Sequence, residues 1–175
     1  MRPVIMGVLI LINFVVQTSV LPHMAVFGVT PDTALIFIVS YGVLRGDVEG
    51  AIFGFSAGLM QDIFFGGPIG MFALFGLLIG YVSGKPFRDF FKDNYFLPFF
   101  IVLIAVLFQQ FMIYAARFLF LGHVNLALYA RTIILPTAIY TVSLAIPLYS
   151  LMHFINGRVE RSEIAGRSLF KRGGF

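Results

Sequence analysis

The sequence predicts an all-α polytopic membrane protein of six transmembrane helices, with both termini on the cytoplasmic side. Three observations lead there. Six apolar stretches alternate with short polar loops along the 175 residues. Only 11% of the residues are charged against 59% hydrophobic, and the mean hydropathy is +0.96. The basic residues also fall on one side of the resulting topology. A soluble domain needs a charged shell of about a quarter Asp, Glu, Lys and Arg, so lipid must cover most of this outer surface.

The spans follow from length and punctuation. The first runs from Pro3 to Leu21 and is too long for a signal peptide; Val20-Leu21-Pro22 also makes a poor cleavage site. The second runs from Pro31 to Leu44, with Thr30 expected to cap a helix whose first residue is Pro31. The third covers Val48 to Phe65, the fourth Ile69 to Gly84, the fifth Phe96 to Leu121 and the sixth Arg131 to Ile155. A hydrocarbon core of ~30 Å takes roughly 20 helical residues. The second and fourth spans fall short, which predicts local thinning of the bilayer or burial inside the bundle. Residues 1–155 form one transmembrane domain, and 156–175 a basic cytoplasmic tail suited to anionic lipid.

Orientation comes from Lys and Arg. Arg2, Arg45, Lys85, Arg88, Lys92, Arg158, Arg161, Arg167, Lys171 and Arg172 share one side, ten of the twelve basic residues. Arg117 and Arg131 lie at span ends facing the other way. The positive-inside rule then places both termini in the cytoplasm, which requires an even number of spans. Trp is absent, so Tyr and the 22 Phe must supply any interfacial belt. Zero cysteines exclude disulfides, thiolate metal sites and Cys nucleophiles. The loops His23–Thr30, Gly66–Pro68, Lys85–Asn94 and Gly122–Ala130 are too short to hold a catalytic domain. No phosphate-cradling loop or metal-ligand spacing appears, so no cofactor and no enzymatic activity are expected.

Small residues mark the packing. Gly50, Gly54 and Gly58 recur every four residues, as do Gly76, Gly80 and Gly84. Each row makes a flat groove that lets another backbone approach. The two rows either pack on each other or receive a helix from a partner protein. Gly66-Gly67-Pro68-Ile69-Gly70 and Leu44-Arg45-Gly46-Asp47 read as tight turns.

Polar residues within spans need partners. Asp62 and Arg117 lie at similar depth, and a buried Asp62–Arg117 ion pair is the expected arrangement. A proton or cation path would show more than one intramembrane acid, and Asp32 sits at a helix start where the dipole favours it. Asn13 and Gln17 share a face of the first span, and Gln110, Tyr114 and Arg117 a face of the fifth; both stripes should point inward. Gln109, one step around, is free to face a partner chain. His23, His123 and His153 are dispersed over both sides, as interfacial residues are. Pro136 and Pro147 should kink the last span, with Thr137 and Thr141 satisfying the freed carbonyls.

The stretch from Gly28-Val29-Thr30-Pro31-Asp32 through Gly42-Val43-Leu44-Arg45-Gly46 and Gly58-Leu59-Met60-Gln61-Asp62 to Gly80-Tyr81 resembles the MreD family of rod-shape-determining membrane proteins. The family's Pro-Asp motif falls on Pro31 and Asp32, and its Gly-Leu-x-x-Asp motif on Gly58, Leu59 and Asp62. The resemblance implies a scaffold of the bacterial elongation machinery in the cytoplasmic (inner) membrane. Such a scaffold binds MreC and couples the MreB cytoskeleton to peptidoglycan synthesis by RodA and a class B penicillin-binding protein. It also implies a fold similar to the substrate-binding components of energy-coupling-factor vitamin transporters, which supplies the alternative function of a transporter subunit. The Ala-x-x-x-Ala docking pattern of those components is missing from the first helix.

The topology is testable because the chain has no native cysteine. A Cys at Asn125 should react with an impermeant maleimide added outside intact cells, and a Cys at Ser168 should not. Outside labelling at Ser168 would overturn the assignment.

Overall fold

A chain surrounded by lipid has to satisfy every backbone N–H and C=O within itself, and helices do so locally. The computed structural model describes residues 2–25, 28–65, 70–85, 96–121 and 125–172, and its regular elements are helical throughout, with no strand among the described residues. Helix α1 (Arg2–Val15) continues through a π-helical turn (Val16–Val20) and a 3-10 turn (Leu21–Met24). Helices α2 (Thr33–Arg45), α3 (Asp47–Phe65), α4 (Met71–Gly84) and α5 (Phe96–Leu121) follow. A single turn, α6 (Leu126–Tyr129), leads through a π-helical turn (Ala130–Ile134) into the long α7 (Leu135–Arg172).

Among the described residues, three stretches are long and apolar enough to cross a membrane: Val4–His23, Pro98–Ala116 and Leu126–Arg158. Helices α2 and α4 are apolar but have 13 and 14 residues, about 20 Å of helix at ~1.5 Å per residue. Helix α2 resolves its shortness by burial. Every residue from Thr33 to Val43 is buried, as expected for a helix apolar all round. It touches α1, α3, α4, α5 and α7 and is the axis of the bundle. Helix α4 instead exposes one apolar face through Leu74, Leu78 and Val82. The outer faces of α1, α5 and α7 carry Leu11, Ile104 and Ile139, each at least half exposed. So much exposed apolar surface fits lipid and not water.

Several helix boundaries differ from the sequence reading. Helix α2 starts at Thr33, and Asp32 caps it in place of Thr30: its Oδ1 accepts the Leu35 N–H at 3.1 Å. The last helical stretch starts at Leu126, five residues before Arg131. Asn125 Oδ1 accepts the N–H groups of Ala127 (3.1 Å) and Leu128 (3.4 Å), and this cap draws most of the expected outer loop into helix. At the other end α7 runs past Ile155 to Arg172, so helix continues into the basic segment.

The most extensive contact joins α3 and α4. All six glycines of the two rows are buried, and the rows face each other. A Cβ added to Gly54 would overlap the Gly76 carbonyl oxygen, and one added to Gly76 would overlap that of Gly54. Gly50 opposes Gly80, Gly58 opposes the backbone of Phe72 and Ala73, and Gly84 meets Gly46 and Asp47. Gly42 of α2 joins the same seam: its Cβ would overlap Ser83 Oγ and lie 2.8 Å from the Gly80 carbonyl oxygen. Three backbones meet where side chains would ordinarily stand. A single residue, Gly46 at φ +105°, links α2 to α3, a conformation that an L side chain rarely adopts.

The helix ends sort by chemistry. Ile5, Arg45, Met152 and Asn156 line one small recess, so the start of α1, the end of α2 and that part of α7 share one end of the bundle. The Lys85 ammonium sits 4.5 Å from the Tyr81 ring centroid, and the Arg158 guanidinium 4.6 Å from that of Phe154. Such pairs of basic and aromatic side chains suit a membrane interface.

The seam gives a direct prediction. Gly54→Ala and Gly76→Ala should each lower unfolding stability in detergent by at least the ~1–3 kcal/mol of an overpacked core. Gly157→Ala, in α7 with open space around it, should be neutral or stabilising by up to ~1 kcal/mol. Wild-type stability for Gly76→Ala would disprove the backbone-to-backbone contact.

Candidate functional site

The end of the bundle away from Arg45 collects most of the buried polar side chains, and the two motif acids organise it. Asp32 accepts from Leu35 N–H with one carboxyl oxygen and from Gln109 Nε2 with the other, at 2.7 Å. Its own N–H donates to Thr141 Oγ1 at 3.0 Å. The next residue, Thr33, gives both its N–H (3.2 Å) and its hydroxyl to Gln17 Oε1. Two consecutive residues at the head of α2 therefore tie it to the π-helical turn after α1, to α5 and to α7.

Asp62 performs the same service for α4, from another helix. The N-cap of α4 is Gly70 at φ +94°, which has no side chain to cap with. Asp62, near the end of α3, supplies both acceptors: Oδ1 takes the Phe72 N–H at 3.0 Å and Oδ2 the Ala73 N–H at 2.9 Å. Asp62 is 5% exposed, and its two oxygens satisfy first-turn N–H groups that the helix itself leaves without a partner. Gly58, one turn back on α3, lets the backbone of Phe72 and Ala73 come close enough for this reach.

The motif residues thus divide into working parts. Asp32 and Asp62 cap buried helix starts, Gly58 sets the approach of α4, and Pro31 is buried just before the capped turn. Leu59 lies on the exposed face of α3. The Arg117 side chain lies outside the described residues, and so does the expected pair with Asp62. Each Asp62 oxygen keeps acceptor capacity beyond its one backbone bond.

Gln109 corrects the sequence reading. It is buried and donates to Asp32 instead of facing outward, while its neighbour Gln110 is half-buried. Gln110 still points inward, lining the same cavity as Gln109, and Tyr114 packs on the buried Tyr129 with ring centroids 5.4 Å apart. Thr141 also departs from expectation, since its hydroxyl accepts from the Asp32 N–H at 3.0 Å. Pro136 follows directly on the π-helical turn, where Leu135 N–H reaches back to Ala130. An altered hydrogen-bond pattern is a usual accommodation of a missing donor. His23 Nδ1 bonds the Ser19 carbonyl at 2.9 Å, an interfacial role; His123 lies outside the described residues.

Beside the Asp32 cluster opens a cavity of about 440 Å³. Gln17, Gln61, Gln109 and Gln110 come to it from three parts of the chain, together with Tyr129 and Thr137. Sequence reasoning missed this cavity because its glutamines lie far apart in the chain. Among the described residues no group of three or more His, Asp and Glu is placed to hold a metal ion.

A family model described as "MreD: rod shape-determining protein MreD" matches residues 1–155. Comparison with curated proteins and with solved structures returned no match.

The caps can be weighed one at a time. Asp62→Ala strands the buried Ala73 N–H and the part-buried Phe72 N–H and should cost ~1–3 kcal/mol for the first and less for the second, while Asp62→Asn, keeping one acceptor, should lose roughly half as much. Unfolding in a denaturing detergent measures both. In a cycle with Arg117→Ala, the losses add if the backbone caps alone hold Asp62. They fall short of the sum if the guanidinium pairs with it.

Proposed function

The chain belongs to the rod shape-determining MreD family, and from that membership we propose a non-enzymatic scaffold of the bacterial elongation machinery. In this reading it is a six-span protein of the cytoplasmic membrane with both termini inside. It binds MreC directly and couples the MreB cytoskeleton to peptidoglycan synthesis by RodA and a class B penicillin-binding protein. The family match carries the proposal, and the use made of the motif acids supports it. Both acids serve as caps that fix where helices begin, which is what a rigid docking body requires.

The glycine rows narrow where a partner binds. They are buried against each other, so a partner helix has to meet the exposed apolar faces of the outer helices. The competing reading is a substrate-binding subunit of a vitamin-type transporter, on a fold like that of energy-coupling-factor components. The two readings separate cleanly in the cell. For the scaffold, deletion of the gene turns rods into round cells, and purification in mild detergent brings down a bitopic coiled-coil protein. For the transporter, rod shape survives, uptake of one solute fails, and a pair of ATPases co-purifies. Normal rods in a complete deletion, grown without added magnesium or osmotic support, would overturn the scaffold.

A further inference from the structure

The cavity beside Asp32 has a volume of about 440 Å³, within the ~300–1,000 Å³ of small-molecule sites. Thr30, exposed just before α2, belongs to its wall, so the cavity reaches the surface at that end of the bundle. Asp32 is the one acid on the wall, and among the described residues no Lys or Arg lines it. The charge there has a single sign.

The Asp32 carboxyl group is only partly satisfied. Leu35 N–H and Gln109 Nε2 give each of its oxygens one donor, and each oxygen can accept more than one bond. Both donors are neutral, so they leave the charge without a counter-ion, and a carboxylate away from bulk water attracts one. Gln109 turns its amide nitrogen to Asp32, which leaves its carbonyl oxygen as a further acceptor beside the same acid. Gln61 and Gln110 bring two more amide carbonyls to the wall. Phe72 and Tyr129 add aromatic rings, whose faces attract cations.

The wall also selects among cations. A hard metal ion takes ~six to eight oxygen ligands, and among the described residues no three of His, Asp and Glu come together. A primary ammonium group instead brings one positive charge and three N–H donors. Its carbon skeleton fills volume that a bare ion would leave empty, and lies against the aromatic rings.

We propose that this cavity binds a primary organic ammonium, either free or as the headgroup of an aminolipid, with Asp32 as its counter-ion. The site goes beyond the scaffold reading and takes nothing from it. Arg117 lies one turn beyond the wall residue Ile113 on α5, which makes the chain's own guanidinium the rival occupant.

Binding is measured on the full-length protein in dodecyl maltoside, an uncharged detergent without ammonium, by calorimetry and by shift of the unfolding midpoint. Two amines, tyramine and 1,4-diaminobutane, are compared with the alcohols tyrosol and 1,4-butanediol, and dihexanoyl phosphatidylethanolamine with dihexanoyl phosphatidylglycerol. At least one ammonium probe should bind saturably, and about tenfold or more tighter than its counterpart without the ammonium. Response to a free amine assigns the soluble source, and response to phosphatidylethanolamine alone the lipid-borne one. Asp32→Asn keeps a capping oxygen for Leu35, and Gln109 can turn over to meet the new amide, so the variant should fold. It should weaken ammonium binding at least about tenfold and erase the preference over the counterpart. Gln110→Leu spares every bond of Asp32 and should weaken binding about two- to tenfold. Four results would each overturn the proposal: no saturable ammonium binding, equal affinity for a probe and its counterpart, wild-type affinity in Asp32→Asn, or binding that arises only in Arg117→Gln. The comparison of probe and counterpart in the wild type needs no variant to fold. None of these outcomes bears on cell shape, so the scaffold reading stands or falls separately.

Discussion

Two helices that begin partly buried, at one end of the bundle, must find acceptors for their first N–H groups. In this protein a carboxyl group does that work for each of them. Asp32 caps α2 from the adjacent position in sequence, and Asp62 caps α4 from the neighbouring helix. The positive end of the helix dipole favours an acid there, which is how two acids come to sit in low-dielectric surroundings with peptide N–H groups as partners. Short helices, buried starts and acids at those starts are one constraint met in three places.

The glycine seam and the Asp62 cap depend on each other. A carboxyl group on a short side chain reaches the backbone of the next helix only if the two backbones nearly touch. Gly54 against Gly76 and Gly58 against Phe72 create that proximity. The cap in turn fixes how far α4 slides along α3, because a shift of one residue would take Phe72 and Ala73 N–H away from the Asp62 oxygens. Dispersion between close backbones supplies the attraction, and the two hydrogen bonds supply the register. Gly42 extends the arrangement to α2, so the central helix is seated against the seam as well as tied at its head by Gln17, Gln109 and Thr141.

Much of this was legible in the chain. Hydropathy located the apolar helices, the four-residue spacing of glycines marked the seam, and the Pro-Asp and Gly-Leu-x-x-Asp motifs pointed to Asp32 and Asp62. What they do was less legible. Thr30 and Asp32 are both good capping residues, and only the φ and ψ of the turn decide between them. The reach of Asp62 to Phe72 depends on α3 and α4 being antiparallel and on the absence of a side chain at Gly70. Gln109 and Gln110 are adjacent on α5 and both reach the cavity, so a stripe drawn through Gln110, Tyr114 and Arg117 left the place of Gln109 open. Asn125 hides its capping role because α6 is a single turn that hydropathy merges with the preceding loop.

A helix contact built from missing side chains also constrains how the gene can vary. Every missense change reachable by one nucleotide from a glycine codon introduces at least a β-carbon. At Gly54, Gly76, Gly80 and Gly84 that atom would fall on opposing backbone, which cannot rotate aside as a side chain can. These positions have no mild allele one mutational step away. A second change across the seam cannot restore the fit either, since the atoms in the way are main chain, which every residue keeps.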